Sequence, residues 1–435
     1  MYMNITEKYK LLGFYENELR QNILGFWLSR CEDKECGGYV NCFDNAGEKL
    51  VSFDKYAWSQ GRFVWMFSRL AGTSAPMFSK AERKEFLRLA KSGVNFLMEH
   101  VLLGEEDWRC SFLMERDGTH KEVNPGDPLD MSIYADCFVV LGLGMYSAVT
   151  GEGAPYEFAK KLYLSITERV RDGKFNTLPY PLSSCYRAHG IPMILDNTAR
   201  ELLRASETLN DMEFATKLKK DIFVFASDVL ENFTDENYAV HEIITENNKM
   251  FPQILGQHMN PGHTIEDVWF LLDAAEICGK PEWKDKIYKI AQRALETGWD
   301  ESYGGILHFC SMQGEEPVGD YSGVENETMT KQLSGWGDKL WWPHAEALYS
   351  TLRCYLETGN ETFLSWHDKV FDYTFKTFPN PDPEIREWKQ IRQRDGRPQE
   401  KVVALPVKDP FHISRDLILI IELLSKFETT MEVDS

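Results

Sequence analysis

The stretch Asn260-Pro261-Gly262-His263-Thr264-Ile265-Glu266 sets a histidine and a glutamate three residues apart behind an Asn-Pro pair. In a chain with only 10 histidines that placement is a candidate for proton transfer. Asn as N-cap and Pro at the first helical position form a helix start, because proline lacks an N–H that would be unpaired there anyway and its φ is already helical. His263 then stands in the first turn, where the positive end of the helix dipole disfavours imidazolium and keeps the ring neutral. A neutral imidazole is a competent base. Glu266 lies on the same helical face, placed to orient the ring or to hydrogen-bond a substrate hydroxyl.

Similar proline-led starts occur at Asp127-Pro128-Leu129-Asp130, Ile191-Pro192, Trp342-Pro343-His344 and Asp409-Pro410-Phe411-His412. The last of these sets His412, like His263, at a third helical position. Two more charged residues stand out. Arg62 shares a face with Lys55 and Ser59 in "FDKYAWSQGRFVWMF". An arginine amid Trp58, Phe63 and Trp65 needs an acidic partner or an oxyanion to stabilise. Glu346, two residues after His344, is a carboxylate for a buried arginine or a sugar hydroxyl. No HExxH spacing is present, so no metal is expected. No GxGxxG follows a strand and no GxxxxGK[ST] occurs, which removes the usual nucleotide cradles.

The elements that must position these residues are helices. Periodicity of 3.6 predicts about twelve, near 16–31, 54–71, 81–102, 130–151, 155–173, 194–211, 214–233, 263–280, 282–299, 344–358, 361–377 and 412–427. Some are amphipathic: in 81–102, Phe86, Leu89, Ala90, Gly93, Leu97 and Val101 form one face. Others, such as "DMSIYADCFVVLGLGMYSAV", are apolar nearly all round, and the two classes imply two shells. In an up-and-down arrangement the even-numbered helices share an orientation, so His263, His344 and His412 should converge on one rim. Short hairpins are expected in "GGYVNCFDNAGEKLV", "WRCSFLMERDG", "GGILHFC" and "REWKQIRQRDG". The stretch from Asp33 to Gly38 has an echo from Asp300 to Gly305, a weak internal repeat.

Composition narrows the class. A net charge of -20 and pI near 5 exclude nucleic acid as a partner. Nine cysteines without a CxxC pair point to reduced thiols in the cytoplasm. The start "MYMNITEKYK" lacks the pattern of a signal peptide, and the apolar stretch near "LILIIELL" is too short to span a bilayer, so a soluble cytoplasmic protein without a membrane partner is expected. An aromatic content of 13% suits a sugar-sized cleft.

The stretches "GFWLSRCEDKECGGYVNCFDNAGE", "DKYAWSQGRFVWMFSRL", "NPGHTIEDVWFLL", "KLWWPHAEAL" and "PFHISR", spread from residue 25 to residue 415, resemble the N-acylglucosamine 2-epimerase family. That family includes cellobiose 2-epimerases and mannose isomerases. The resemblance implies an all-α (α/α)6 barrel, here one catalytic domain over 1–435. It also implies reducing-sugar substrates, no required cofactor, and proton exchange at C2 of the open-chain sugar through an enediolate. Family members include some with ATP as an allosteric effector and many homodimers.

By this resemblance His263 and His412 are the two acid/base histidines, Arg62 stands near the developing oxyanion, and Glu266 and Glu346 are site carboxylates. Tyr56, Trp342, His344 and Trp388 are the expected substrate contacts. "HGIPMILDN" resembles the N-acylglucosamine branch, with Ile194 near the place of a further histidine in the other branches and His189 too early to replace it. Val407-Lys408-Asp409 departs from the Trp-Lys-Gly of many members. The expected activity is interconversion of N-acetylglucosamine and N-acetylmannosamine. The alternatives are mannose–fructose isomerisation, cellobiose 2-epimerisation, or a glycoside hydrolase of the same architecture using Asp130 and Glu266.

Overall fold

The computed structural model describes residues 5–433; the first residues of "MYMNITEKYK" lie outside that range. Twelve long helices account for most of it. Helix α1 runs without interruption through Ile5–Asn17, a π-helical turn Glu18–Ile23 and Leu24–Trp27. There follow α2 (Ala57–Gly72), α3 (Lys80–His100), α4 (Ile133–Thr150), α5 (Gly153–Arg171) and α6 (Gly190–Thr208). The second half contains α7 (Met212–Asp228), α8 (Pro261–Ile277), α9 (Lys284–Gly298), α10 (Trp341–Thr358), α11 (Glu361–Thr377) and α12 (Phe411–Val433). A short helix, Thr328–Gln332, sits in the connection between α9 and α10. The first helix begins at Ile5 instead of near 16, because the π turn shifts its apolar face by a residue and breaks the periodicity on which the expectation rested.

The even-numbered helices form a closed inner ring, α2–α4–α6–α8–α10–α12, and α12 returns to α2. Each odd-numbered helix packs outside its even partner, with α1 behind α12. This is the (α/α)6 barrel. The two shells follow from the two hydrophobic patterns: α3 buries one stripe, including all six expected face residues, whereas α4 is buried nearly all round. Helix α4 is long and apolar enough to cross a membrane, more so than the "LILIIELL" stretch, but it is mostly buried as a wall of the barrel between α2 and α6.

Short strands lace the amino ends of the inner ring together. Lys55–Tyr56, ahead of α2, pairs with Leu113–Met114 in the connection to α4. Ser132, ahead of α4, bridges Thr177 in the connection to α6. Tyr186–Ala188 pairs with Ile243–Thr245, His258–Met259 with Cys310–Ser311, and Lys339–Leu340 with Ile391–Arg392. The circle closes where the Lys408 N–H donates to the Asn41 carbonyl at 2.9 Å. Two of the four expected hairpins are therefore long-range pairings, since the "GGILHFC" and "REWKQIRQRDG" segments pair with strands ahead of α8 and α10.

The tightest contact in the ring lies between α2 and α4. A Cβ added at Gly61 would sit 2.2 Å from the Phe138 carbonyl oxygen, and one at Gly142 would sit 2.5 Å from that of Gly61. Backbone on both sides leaves little room to yield. Gly61→Ala should therefore reduce unfolding free energy by about 3 kcal/mol, at the upper end of overpacking penalties. Urea unfolding followed by circular dichroism measures this, and an unchanged midpoint would contradict the close approach.

Candidate active site

A cleft open to solvent lies at the amino ends of the inner helices. Every inner helix contributes to it. Trp58 and Arg62 come from α2, Tyr134 and Phe138 from α4, Met193 and Ile194 from α6, His263 and Glu266 from α8, Trp341 and Trp342 from α10, and His412 from α12. The connection to α12 adds Leu405, Val407 and Asp409. Of the expected site residues, His263, His412, Arg62, Glu266 and Trp342 meet in this cleft.

His263 sits where the helix start predicted: Asn260 caps α8 by accepting from the His263 N–H at 3.1 Å, and Pro261 opens the helix. Helix α12 begins at Phe411, so His412 is its second residue; Asp409 caps it from outside by accepting from the Phe411 N–H at 2.8 Å. The Trp342 indole lies between the two histidines, its centroid 5.3 Å from the His263 ring and 5.6 Å from the His412 ring.

His412 Nδ1 lies 2.7 Å from Glu346 Oε1, an acceptor-only partner that places the proton on Nδ1. Arg415 Nη2 is farther from the same nitrogen, at 3.2 Å. The opposite nitrogen, Nε2, accepts from Arg62 Nη2 at 3.2 Å. Burial holds the His412 ring well below its ordinary pKa, and Arg62 and Arg415 reinforce this against Glu266, so the ring is neutral. Glu346 is fully buried and accepts from Trp269 Nε1 at 2.9 Å as well. Arg415 bonds both Glu266 and Glu346.

Arg62 bonds Asp409, and its guanidinium lies 4.0 Å from the Phe138 ring centroid and 4.8 Å from that of Phe411. It thus has the acidic partner that was one of the two alternatives the sequence offered, and it also lies beside His412. Its outer edge remains in the cleft.

His263 finds its carboxylate in Glu242, not in Glu266. Nδ1 of His263 lies 2.9 Å from Glu242 Oε1, which leaves Nε2 for a ligand. Burial opposes ionisation of Glu242, but His263 and His189 together hold it well below the usual carboxylate range. His189 in turn places Nε2 2.8 Å from Asp267 Oδ2.

Sequence reasoning missed Glu242, Asp267 and Arg415. Signals existed: a glutamate inside the apolar run "AVHEII", and an Arg-Asp pair at the head of the apolar "LILII" helix. Two groups, His189–Glu242–His263 and Glu266–Glu346–His412, have potential metal-ligand atoms within 4.8 Å of one another. In the second, Arg415 already supplies the positive charge between the carboxylates; in the first, Nε2 of His189 is committed to Asp267.

Three expected contacts, and the acid of the hydrolase alternative, fall elsewhere. His344 is fully buried beneath the rim: its Nε2 accepts from the Ile306 N–H at 2.9 Å, its Nδ1 bonds the Leu340 carbonyl at 2.6 Å, and the ring stacks on Tyr373. Tyr56 packs edge-on against Phe112. Trp388 stacks on Phe378 and donates to Glu18 at 2.7 Å. Asp130 bonds Arg109 outside the cleft, so it forms no hydrolytic pair with Glu266. Lys55 and Ser59 are also buried away from it, Lys55 against Asp33 at 3.1 Å. Proline starts alone did not separate His344, whose ring turns outward beneath a connecting loop, from His263 and His412.

The geometry defines a barrel enzyme with two carboxylate-backed histidines and an arginine around an aromatic cleft. The sequence profile described as N-acylglucosamine 2-epimerase (GlcNAc 2-epimerase) matches residues 38–414. The N-acylglucosamine 2-epimerase of Mus musculus is 30% identical over 420 residues, 96% of this chain and 92% of the relative. A cellobiose 2-epimerase of Bacteroides fragilis is 23% identical over 368 residues, 79% of this chain and 82% of the relative. The solved cellobiose 2-epimerase of Bacillus thermoamylovorans B4167 shares the fold, with a TM-score of 0.75 at 20% identity, covering 95% of this chain and all of that one. The chain belongs to the N-acylglucosamine 2-epimerase family and is a carbohydrate epimerase.

His344 yields a pH test. Burial holds it neutral, with a pKa pushed down to about 3 from 6.5. The unfolded chain gains a proton there below pH 6.5 and the native protein does not, so this residue costs stability progressively as pH falls. Relative to wild type, His344→Gln should gain about 2 kcal/mol between pH 7.5 and pH 5, at about 1.4 kcal/mol per pH unit below the unfolded pKa. Urea titrations at both pH values measure the difference, and a pH-independent gap would show that the native ring takes up the proton.

Proposed function

We propose that this enzyme interconverts N-acetylglucosamine and N-acetylmannosamine, with His263 and His412 exchanging the C2 proton on opposite faces of the open-chain sugar. The observation that carries the reading is the pair of histidines on either side of Trp342, each tied through Nδ1 to a buried carboxylate and each presenting Nε2 to one cleft. Inversion at C2 needs proton access from both sides, which one histidine does not provide.

In the forward half, the neutral histidine takes the C2 proton and the C1 carbonyl becomes an enolate oxygen, with the acetamido nitrogen still on C2. Arg62 stabilises that oxygen from a position held by Asp409, Phe138 and Phe411. The other histidine, as imidazolium, delivers its proton to the opposite face of C2. In the reverse direction the roles exchange. Glu346 and Glu242 accept from the Nδ1–H groups throughout and stabilise whichever ring is charged. Proton removal and return leave the oxidation state unchanged, so the reading includes no redox cofactor.

The N-acetyl preference rests on the 30% identity to relatives named N-acylglucosamine 2-epimerase, against 23% to one named cellobiose 2-epimerase, and on the apolar Met193 and Ile194 at the α6 entrance. The reading extends to a single domain over 1–435, a cytoplasmic setting, a homodimer and ATP as an effector acting outside the chemistry.

Incubating N-acetylmannosamine, mannose, glucose and cellobiose separately with enzyme in D2O, with and without ATP, should place deuterium at C2 together with the 2-epimer for the N-acetyl sugar. His263→Ala and His412→Ala should each lower kcat by about a hundred- to ten-thousand-fold. Exchange confined to neutral sugars, or ketose formation, would overturn the substrate assignment.

A further inference from the structure

We propose that His189, which does not line the cleft, is a positioning residue for the epimerisation: as a cation between Asp267 and Glu242, it fixes the carboxylate that orients His263. The inference rests on the function proposed above and assigns the residue that makes one of its two proton-transfer arms work.

The two histidines stand at the ends of two chains built on one plan. His412 leads to Glu346, then to Arg415, then to Glu266 of α8. His263 leads to Glu242, then to His189, then to Asp267, the next residue of α8. Each chain reads histidine, carboxylate, cation, carboxylate, and each is buried beyond its first member. In the second, His189 Nε2 is 2.8 Å from Asp267, while its Nδ1 has no hydrogen-bond partner and faces Glu242 Oε2 at 3.8 Å. A neutral His189 would leave buried Asp267 without the cation it pairs with and Glu242 with His263 alone, an arrangement disfavoured in a dry interior.

The cation also decides what Glu242 does. With His189 charged, Glu242 stays ionised and accepts the His263 Nδ1–H, which aims Nε2 into the cleft. Without it, Glu242 gains affinity for a proton and becomes a poorer acceptor. The Arg415 chain carries a permanent cation, so the two arms differ in one property: only the His263 arm can be switched off by deprotonation.

Burial alone would lower the pKa of His189, but Asp267 and Glu242 raise it to about 9. The other groups facing it are Phe233, with ring centroids 5.9 Å apart, and the His263 ring at 6.5 Å. Around Glu242, Tyr134 and Tyr180 titrate above that range and His258 below its ordinary value, so none of these three changes charge between pH 6.5 and 9. In the folded protein the cation is present below about 9 and is lost as pH rises through that value, while the stability it contributes is complete only below the unfolded pKa.

Partial exchange separates positioning from general damage. If the His263 arm fails while His412 works, His412 still removes the C2 proton of one epimer and returns solvent deuterium to the same face. That epimer then gains deuterium without inversion.

The experiment compares wild type, His189→Gln and Glu242→Gln with N-acetylmannosamine and N-acetylglucosamine in D2O from pH 6.5 to 10. In both variants kcat for epimerisation should fall about ten- to a hundredfold with KM changed less than threefold. The ratio of C2 exchange to inversion should rise at least fivefold for one epimer only. The wild-type alkaline decline near pH 9 should disappear in His189→Gln. Retained exchange reports a folded site.

Wild-type rate, ratio and alkaline limb in both variants would overturn the assignment. So would equal loss of exchange from both epimers in folded protein, which marks a merely structural role. Absence of exchange in the wild type with either sugar would overturn the function reading and this inference together.

Discussion

A guanidinium buried to 1% exposure between two carboxylates is the interaction on which the inner ring depends. Arg415 of α12 reaches Glu266 of α8 and Glu346 of α10, so one side chain ties three consecutive inner helices. Arg415 and Glu346 are shut off from water, and only Glu266 opens onto the cleft. Deleting one partner of such a buried set costs about 3–5 kcal/mol, because the remaining charges lose their compensation. Two carboxylates against one guanidinium leave one negative charge in excess beside His412, yet burial, with Arg62 and Arg415 next to the ring, still holds its pKa well below the ordinary value. The same ion cluster that ties the helices therefore also orients the neutral ring.

A second layer repeats the arrangement deeper in the barrel. Asp273 of α8 lies between Arg200 of α6 and Arg353 of α10, at 2.6 Å from each. Paired charge thus links three inner helices a second time, with Asp273 half-buried between its two guanidinium partners. At the rim, buried lysines perform the matching task for the loops. Lys55 and Lys339, each just ahead of an inner helix, pair with Asp33 and Asp300; Arg116 and Arg394 complete the two sets. The Asp33–Gly38 and Asp300–Gly305 echo is this device used twice. Both glycine pairs adopt positive φ, allowing the loop to turn so that Lys55 Nζ meets the Gly37 carbonyl and Lys339 Nζ that of Gly305.

The helices and the two shells were legible because their cause is local: apolar spacing sets which face is buried, and an Asn-Pro start sets where α8 begins. His263, with Glu266 on its face, and His412 could be placed at the cleft for the same reason, since helix polarity determines the rim they occupy; Arg62 and Trp342 were placed there by the family resemblance. Glu242 could not. It reaches His263 from the residue just ahead of a strand in a long connection, and the pairing of Tyr186–Ala188 with Ile243–Thr245 that places it involves residues far apart in sequence. His344 failed in the opposite sense. It has the local pattern of a rim residue, but the Ile306 N–H from the loop after α9 claims its ring. Asp127-Pro128 likewise looks like a helix entrance, whereas α4 begins at Ile133, after the chain has completed its pairing with the strand ahead of α2. Local rules place elements, and long connections decide which polar groups meet.

The division of the cleft into unlike arcs bears on how charge develops in it. Helices α8, α12 and α2 present His263, Glu266, His412 and Arg62, while α4 and α6 present Tyr134, Phe138, Met193 and Ile194. An open-chain sugar has one end that must carry transient negative charge and a remainder that does not. Placing C1 and C2 at the charged arc puts Arg62 beside the forming oxyanion, and the apolar arc excludes water that would compete for the same donors. Arg62 is already bonded to Asp409, so its charge is partly compensated while the sugar is neutral. In the proposed reaction the fixed guanidinium gains a second anionic partner, the enolate oxygen, without moving, because Asp409 and the rings of Phe138 and Phe411 have already set its plane. Orientation is established in the folded protein before the reaction, and the stabilisation grows only with the charge that the transition state creates.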